Sequence, residues 1–212
     1  MPSFYPIHIN IDDKKCLVVG GGRVAERKVS VLVRYGGKVV VVSPTTTKKI
    51  KTLSKNKKII WHKRIYRFSD LNKAFLVFCA TNSEKINSEI SKEAKKRGII
   101  VNVVDSPEDC DFISPSLIER GHLKVSISTE GLAPLLSKRL REELERRFGK
   151  EYRQYTALIA KVRSTILKNK RLNDQKKRKK MNQLLSLNLI DQLRNGEKVH
   201  YKNVLRQLGV SG

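Results

Sequence analysis

The stretch CLVVGGGRVAERK, residues 16–28, decides the fold of this chain. Its apolar start predicts a buried strand over 15–20, and its second half has the apolar spacing of a helix over 23–35. The turn between them fits the pattern G-x-G-x-x-A, in which Gly20 allows the tight turn and Gly22 leaves room for a pyrophosphate. The stretch therefore predicts a dinucleotide-binding loop. The alternative is a glycine turn in a sheet domain that binds nothing.

Strands and helices alternate through the first half of the chain. Apolar runs predict strands, and the segments between them predict helices, in this order: strand 38–43, helix 45–55, strand 58–63, strand 74–81, helix 84–97 and strand 99–105. This alternation is typical of a doubly wound parallel sheet. The pattern then changes to a strand with one polar face over 122–129 and to helices over 134–148, 151–170, 175–195 and 199–208.

The composition points to an anionic partner inside a reducing compartment. The formal net charge is +25, and residues 150–212 hold 16 basic and 4 acidic side chains. Nucleic acid and a polycarboxylate or phosphate ligand are the two alternatives. Three distant cysteines predict neither a disulfide framework nor a zinc site, and the scattered histidines predict no metal cage. We expect no membrane span, no signal peptide and a cytoplasmic location.

The second predicted strand lacks the acidic residue that usually binds the ribose of a dinucleotide. It ends in Ser43-Pro44-Thr45, with no carboxylate at the expected spacing. Contact with the ribose is therefore expected from hydroxyl groups or from the backbone. The preference between NAD and NADP stays open.

Polar residues follow the fourth and fifth predicted strands at the same edge of the sheet. Asp105 suits a general acid/base beside a nicotinamide, although an aspartate before Ser-Pro is also a common turn former. Thr81 and Asn82 are expected to face the same cleft, and Asn82 or Ser83 is expected to cap the next helix.

Four stretches in order resemble the siroheme-biosynthesis dehydrogenases, a family of precorrin-2 dehydrogenases of which some also act as sirohydrochlorin ferrochelatases. They are VVGGGRVAERKV, ATNSEKIN, NVVDSPEDCDFISPS and VSISTEGLAP. The resemblance covers about residues 5–148 and extends to the N-terminal module of the bifunctional siroheme synthases. The chain departs from the family's usual STGGxSP pattern, because Glu130 and Ala133 stand in its STEGLAP loop.

The resemblance implies an α/β fold in three regions. Residues 1–113 would form a Rossmann-like parallel sheet that binds NAD, and residues 114–149 a small α+β dimerisation region. Residues 150–212 would form a basic, all-helical region over the substrate cleft. A homodimer through the 122–129 strand and the next helix is expected.

The resemblance also implies a reaction and its residues. NAD would take a hydride from precorrin-2, an octacarboxylate tetrapyrrole, to give sirohydrochlorin, and Fe²⁺ would be a further substrate where chelation occurs. Asp105 would be the catalytic residue, which replaces the turn as its expected role. The expected cofactor-binding residues are Gly20, Gly21, Gly22, Arg23, Val24, Pro44, Thr45, Thr81 and Asn82. The alternatives are an NAD-binding regulator or a nucleic-acid-binding protein that uses the basic helices.

Overall fold

Two compact units make up the chain in a computed structural model that describes residues 3–210. The first unit runs to Ser114 and the second begins at Pro115. The predicted α/β fold class is confirmed in the first unit, which is a parallel sheet with helices on both faces. Among the helices of residues 3–210, none combines the length and the apolar content that a membrane span requires.

The described part of the first unit, from residue 3 onward, contains five strands and three α-helices. Their bounds are β1 Lys15–Val19, α1 Arg23–Arg34, β2 Lys38–Val42, α2 Lys48–Lys55, β3 Ile60–His62, β4 Leu76–Cys79, α3 Glu84–Lys96 and β5 Ile100–Val103. The strand order is β3-β2-β1-β4-β5, and every neighbouring pair is parallel. The chain thus moves outward in one direction from β1 and then crosses over to β4 on the other side, which puts the topological switch point at the end of β1.

Successive side chains of the central strand are buried on opposite faces of the sheet. In β1, Cys16 and Val18 are buried in the cluster that receives α1 and α2, whereas Leu17 and Val19 are buried in the cluster that receives α3. Successive side chains of a strand point to opposite faces, so a strand covered on both sides must be apolar throughout. The three cysteines are unpaired and buried.

The second unit, as far as residue 210, is a hairpin followed by five α-helices. Its elements are β6 Ser116–Arg120, β7 Leu123–Ile127, α4 Pro134–Arg147, α5 Glu151–Lys168, α6 Asp174–Ser186, α7 Leu189–Arg194 and α8 Tyr201–Gln207. β6 and β7 are antiparallel and join through Gly121, whose φ is +63°. A separate apolar cluster collects side chains from α5 to α8, including Val162, Leu184 and Val204.

Two predicted helices have the wrong bounds, and one strand was missed. The helix expected over 45–55 begins at Lys48, because Thr47 is its N-cap and accepts a hydrogen bond from the backbone of Ile50. The single helix expected over 175–195 is two helices, since extended backbone at Leu187 separates α6 from α7. β6 carries a mixed polar pattern and has no strong signal in the sequence.

Gly20 is the position at which the first unit is most sensitive to a side chain. Its φ is +124°, and an added Cβ would lie 2.1 Å from the carbonyl oxygen of Ala80. We expect Gly20→Ala to lower the free energy of unfolding by about 3 kcal/mol or more, from backbone strain and overlap together. Urea denaturation of the full chain measures it.

Gly98 provides the matched control for this substitution. Its φ is +67°, but an added Cβ would meet nothing within 4 Å. Gly98→Ala should therefore cost only the left-handed backbone conformation, about 1 kcal/mol. Equal losses for the two variants would contradict the close approach of Gly20 to Ala80.

Candidate cofactor site at the carboxyl edge of the sheet

Backbone hydrogen bonds continue the sheet beyond the ends of four strands. Gly20 N donates to Val42 O (3.0 Å) and Ala80 N donates to Val19 O (2.8 Å). Val104 N donates to Cys79 O, also over 3.0 Å. The segments that follow β2, β1, β4 and β5 therefore lie side by side at one edge of the sheet, where open α/β sheets bind their ligands.

A cavity of about 490 Å³ opens at this edge. Seven of the predicted cofactor-binding residues line it, namely Gly20, Gly21, Gly22, Pro44, Thr45, Thr81 and Asn82. The remaining lining comes from Val19, Val42, Ser43, Thr46, Thr47, Ile65, Tyr66, Ala80 and Ile86. Arg23 and Val24 are the first two residues of α1 and are not part of the lining.

The glycine loop offers room where a phosphate group would approach. An added Cβ at Gly22 would meet no atom within 4 Å, whereas one at Gly21 would lie 1.9 Å from the Thr45 carbonyl oxygen. Gly22 is also the N-cap of α1 and has no side chain to occupy the first N–H groups of that helix. Free N–H groups and the helix dipole favour an anion here. The loop thus fits the pyrophosphate of a dinucleotide.

The hydroxyl groups between β2 and α2 differ in what they bind. Ser43 Oγ donates to Thr45 O (2.7 Å), and Thr47 caps α2. Thr46 Oγ1 is buried and has no hydrogen-bond partner within residues 3–210. The predicted absence of a carboxylate at this point holds in three dimensions, since the described lining of the cavity contains no acidic residue.

The side chain of Thr81 mainly supports the fold. Its hydroxyl donates to Asn87 Oδ1 (2.7 Å) and accepts from the backbone of Ser83 (3.2 Å). Ser83, not Asn82, caps α3, because Ser83 Oγ accepts from Ile86 N (3.3 Å). In this segment Asn82 lines the cavity, and Ser83 caps the helix.

Asp105 lies at the end of β5, outside the lining of the cavity. It is exposed and has a left-handed backbone with φ +63°. Asp105 lies in a turn, but its carboxylate accepts no hydrogen bond from residues 3–210 and so does not stabilise that turn. With strands roughly 5 Å apart, the end of β5 is roughly 10 Å from the glycine loop after β1. A bound dinucleotide is long enough to span that distance.

A lysine of α1 contributes positive charge near Asp105. Lys28 Nζ donates to Ser114 Oγ (2.9 Å) and lies 4.9 Å from the centre of the Phe78 ring. Burial lowers the pKa of Lys28, and the neighbouring Arg27 lowers it further, whereas Asp105 raises it. The half-buried ammonium therefore belongs to the same electrostatic environment as the predicted catalytic carboxylate.

The loop after β3 was not identified as part of the site from the sequence. It presents Ile65 and Tyr66 to the cavity and is held by Asp70. Asp70 is buried and pairs with Arg64 through two bonds of 2.6 and 2.8 Å. Its carboxylate also accepts from Arg67 N (2.8 Å). An aspartate four positions after a tyrosine has no recognisable pattern in a sequence, so the contribution of this loop could not be predicted.

Known proteins resemble both halves of the chain. Residues 7–116 match the family described as "Putative NAD(P)-binding", and residues 120–147 match the sirohaem biosynthesis protein central family. The siroheme synthase of Vesicomyosocius okutanii is 37% identical over 82% of this chain, and that of Buchnera aphidicola is 35% identical over 97%. The chain spans only 38% and 43% of the lengths of these two relatives.

A solved structure titled "SirC, precorrin-2 dehydrogenase" resembles the chain over almost its entire length. The TM-score is 0.80 and the identity 28%, with 97% of this chain and 99% of that chain covered. These matches confirm the resemblance to the siroheme-biosynthesis dehydrogenases that the four sequence stretches predicted. They also confirm the predicted fold class.

Gly22→Ala separates cofactor binding from stability. The added Cβ has space in the protein and sits on backbone with φ −77°, so the free energy of unfolding should change by less than about 1 kcal/mol. The same Cβ would occupy the approach to the helix N-terminus, and we expect NAD to bind at least about tenfold more weakly. Calorimetric titration of the folded variant measures this affinity. Unchanged affinity would contradict a pyrophosphate site at this glycine.

Proposed function

Because this chain belongs to the NAD(P)-binding family that its residues 7–116 match, we propose that it is an NAD-dependent dehydrogenase that oxidises precorrin-2 to sirohydrochlorin in siroheme biosynthesis. Its likeness to a solved precorrin-2 dehydrogenase over nearly the full chain supports the substrate. The observation in this structure that carries the proposal is the row of hydrogen bonds along the carboxyl edge. This row joins the glycine loop, the Thr81 segment and the Asp105 segment into one surface.

The oxidation removes a hydride and a proton from precorrin-2. NAD⁺, when bound, supplies the acceptor of the hydride. In this proposal the N–H groups at Gly22, Arg23 and Val24 bind the pyrophosphate, while Pro44 and Thr45 contact the adenosine ribose. The exposed carboxylate of Asp105 accepts the proton that leaves the tetrapyrrole.

The charge of the chain supports an octacarboxylate substrate. A net charge of +25 creates a field that attracts a polyanion and holds it near the protein surface. Lys28 adds a half-buried cation close to the proposed reaction centre. Binding of an octacarboxylate substrate therefore accounts for the positive charge of the chain without a nucleic-acid partner.

Replacing Asp105 should abolish chemistry while NAD binding is retained. We expect Asp105→Asn to slow formation of sirohydrochlorin by about 100-fold or more, because a positioned general base contributes about that factor. The assay is anaerobic incubation with precorrin-2 and NAD⁺, followed by the absorbance of sirohydrochlorin and of NADH. Calorimetric titration should give the wild-type NAD affinity, since Asp105 lies outside the cavity.

Glu108 is the control for the charge of this loop. It is an exposed carboxylate three positions along, and its pKa is lowered by hydrogen bonds from its own backbone and from Ser106. Glu108→Gln should leave the rate within about twofold of wild type. An Asp105→Asn enzyme with the wild-type rate would discard the acid/base role and keep the dehydrogenase.

Insertion of Fe²⁺ into sirohydrochlorin stays a prediction of the resemblance. Within residues 3–210, no group of three or more His, Cys, Asp or Glu side chains comes together as a set of metal ligands. In the proposed reaction Fe²⁺ is a substrate, and Asp105 would remove pyrrole protons as the metal enters. Adding Fe²⁺ to the same anaerobic assay tests for siroheme as a product.

We also propose that the chain forms a homodimer through β7 and α4. Three leucines in and just before the first turn of α4 are exposed in the single chain, with exposed fractions of 66% for Leu132, 80% for Leu135 and 49% for Leu136. Neighbouring apolar side chains on one surface are typical of a protein interface.

Leu135→Glu should convert this dimer to a monomer. A carboxylate at the most exposed of the three leucines would have to be buried without a partner. Analytical ultracentrifugation of the full chain measures the molecular mass. Leu185→Glu is the control, since Leu185 is 60% exposed on α6, away from the proposed interface. A monomeric wild type would contradict the proposal.

The burial of the three unpaired cysteines supports the predicted cytoplasmic location. Cys16, Cys79 and Cys110 are all unpaired and buried. Burial raises the pKa of Cys16 to about 11 and that of Cys79 to about 12. These thiols are inert side chains of the core, as is usual in a reducing compartment.

A further inference from the structure

Two buried hydroxyl groups in the cavity lack a hydrogen-bond partner. Thr46 Oγ1 and Tyr66 Oη are both inaccessible to solvent, and neither makes a hydrogen bond within residues 3–210. Both residues line the cavity that contains the glycine loop. A buried hydroxyl that is left unsatisfied costs free energy, so a native protein usually provides it with a partner. At this site the partner that remains is a bound ligand.

Both hydroxyls lie on one side of the cavity. Thr46 follows β2, and Tyr66 follows β3, which is the outer neighbour of β2 in the sheet. The glycine loop follows the central strand β1, and Asp105 follows β5 on the opposite side. In a dinucleotide fold the adenosine ribose lies at the end of β2 when the pyrophosphate lies at the loop after β1. Thr46 and Tyr66 are thus on the adenosine side.

Three of the other hydroxyl groups in the cavity are already occupied by the fold, and a fourth, that of Thr45, belongs to an exposed residue. Ser43 Oγ bonds to Thr45 O, and Thr47 Oγ1 caps α2. Thr81 Oγ1 bonds to Asn87. The hydroxyls of Thr46 and Tyr66 therefore differ from the others in the cavity, because they are buried and make no hydrogen bond within residues 3–210.

The loop that carries Tyr66 is held in place before any ligand binds. Asp70 accepts two bonds from Arg64 and one from the backbone of Arg67, and these bonds close the segment around Tyr66. The Tyr66 ring packs on the cluster beneath β4 and meets Phe68 edge to face at 5.8 Å. Burial raises the pKa of Tyr66, so its hydroxyl keeps its proton at neutral pH and is able to donate. A fixed donor loses little entropy on binding.

We propose that Thr46 and Tyr66 hydrogen-bond the adenosine half of NAD and together take the place of the carboxylate that usually follows β2. This inference rests on the proposed function, because it concerns the cofactor of that reaction. It adds two neutral hydroxyls from neighbouring loops to the contacts that Pro44 and Thr45 make with the adenosine half. It also explains how the site manages without an acidic residue.

Removal of each hydroxyl tests the proposal directly. Thr46→Val and Tyr66→Phe keep the shape of the side chain, and we expect each to weaken NAD binding by about three- to tenfold. ADP-ribose should lose affinity by the same factor, because it carries the adenosine half without the nicotinamide. Calorimetric titration of the full chain measures both ligands. Thr46→Ser keeps the hydroxyl and should bind as wild type does.

Stability of the ligand-free protein separates a binding role from a structural one. Because neither hydroxyl has a partner in the protein, its removal should leave the free energy of unfolding unchanged or raise it. Tyr35→Phe and Thr52→Val are the matched controls. Neither Tyr35 nor Thr52 lines the cavity, and NAD affinity should be that of wild type in both.

Each remaining outcome has one meaning. If wild type binds NAD but Thr46→Val and Tyr66→Phe bind it equally well, the inference is overturned and the dehydrogenase proposal stands. If the variants lose affinity for NAD but not for ADP-ribose, the assignment to the adenosine half is overturned. If wild type binds neither ligand, the proposed function and the inference fail together.

Discussion

The close approach of Gly20 to the carbonyl group of Ala80 constrains the rest of the first unit. The backbone leaving β1 turns so sharply that a Cβ at Gly20 would lie 2.1 Å from the oxygen of Ala80. This turn lets the chain enter α1 directly after the central strand and brings the ends of β1 and β4 together. The switch point of the sheet and the start of α1 lie at this contact, and hydrogen bonds continue the same edge to the end of β5. A side chain at this position would separate the segments that form the site.

The hydroxyl groups of the site fall into two sets, those bonded within the protein and those without a partner within residues 3–210. Hydroxyls of Ser43, Thr47 and Thr81 stabilise the loops, while those of Thr46 and Tyr66 remain for a ligand. No acidic side chain lines the cavity in the described part of the chain, and the surrounding protein is strongly basic. A site of this kind binds an anionic dinucleotide without electrostatic repulsion. The carboxylate of Asp105 is kept two strands away, where it is exposed and close to Lys28.

In α6 of the second unit, basic and apolar side chains lie on different faces of the helix. Most of the KKRKK run, residues 176–180, lies exposed on α6, whereas Leu184 on the same helix is buried in the cluster shared with α5, α7 and α8. Extended backbone at Leu187 allows both Leu184 and Leu189 to enter that cluster, and this is why one predicted helix is two. The basic run is therefore a solvated face that is available to a polyanion. None of residues 176–180 belongs to the apolar cluster of the helices.

The parallel sheet, the glycine loop and most of the residues around the cavity are predictable from the sequence, because they depend on local patterns. Apolar runs of strand length and the spacing of Gly20 and Gly22 constrain the backbone whatever surrounds it. Which hydroxyl groups lack a partner depends on the tertiary structure. Thr46 and Thr47 are both threonines, but the hydroxyl of Thr47 accepts a hydrogen bond from the backbone of Ile50, whereas that of Thr46 makes no hydrogen bond within residues 3–210. The tertiary structure alone also brought Tyr66 to the cavity, through an ion pair between Arg64 and Asp70 that has no periodic pattern. Hydrogen-bond satisfaction is a property of packing, and a sequence read along the chain does not contain it.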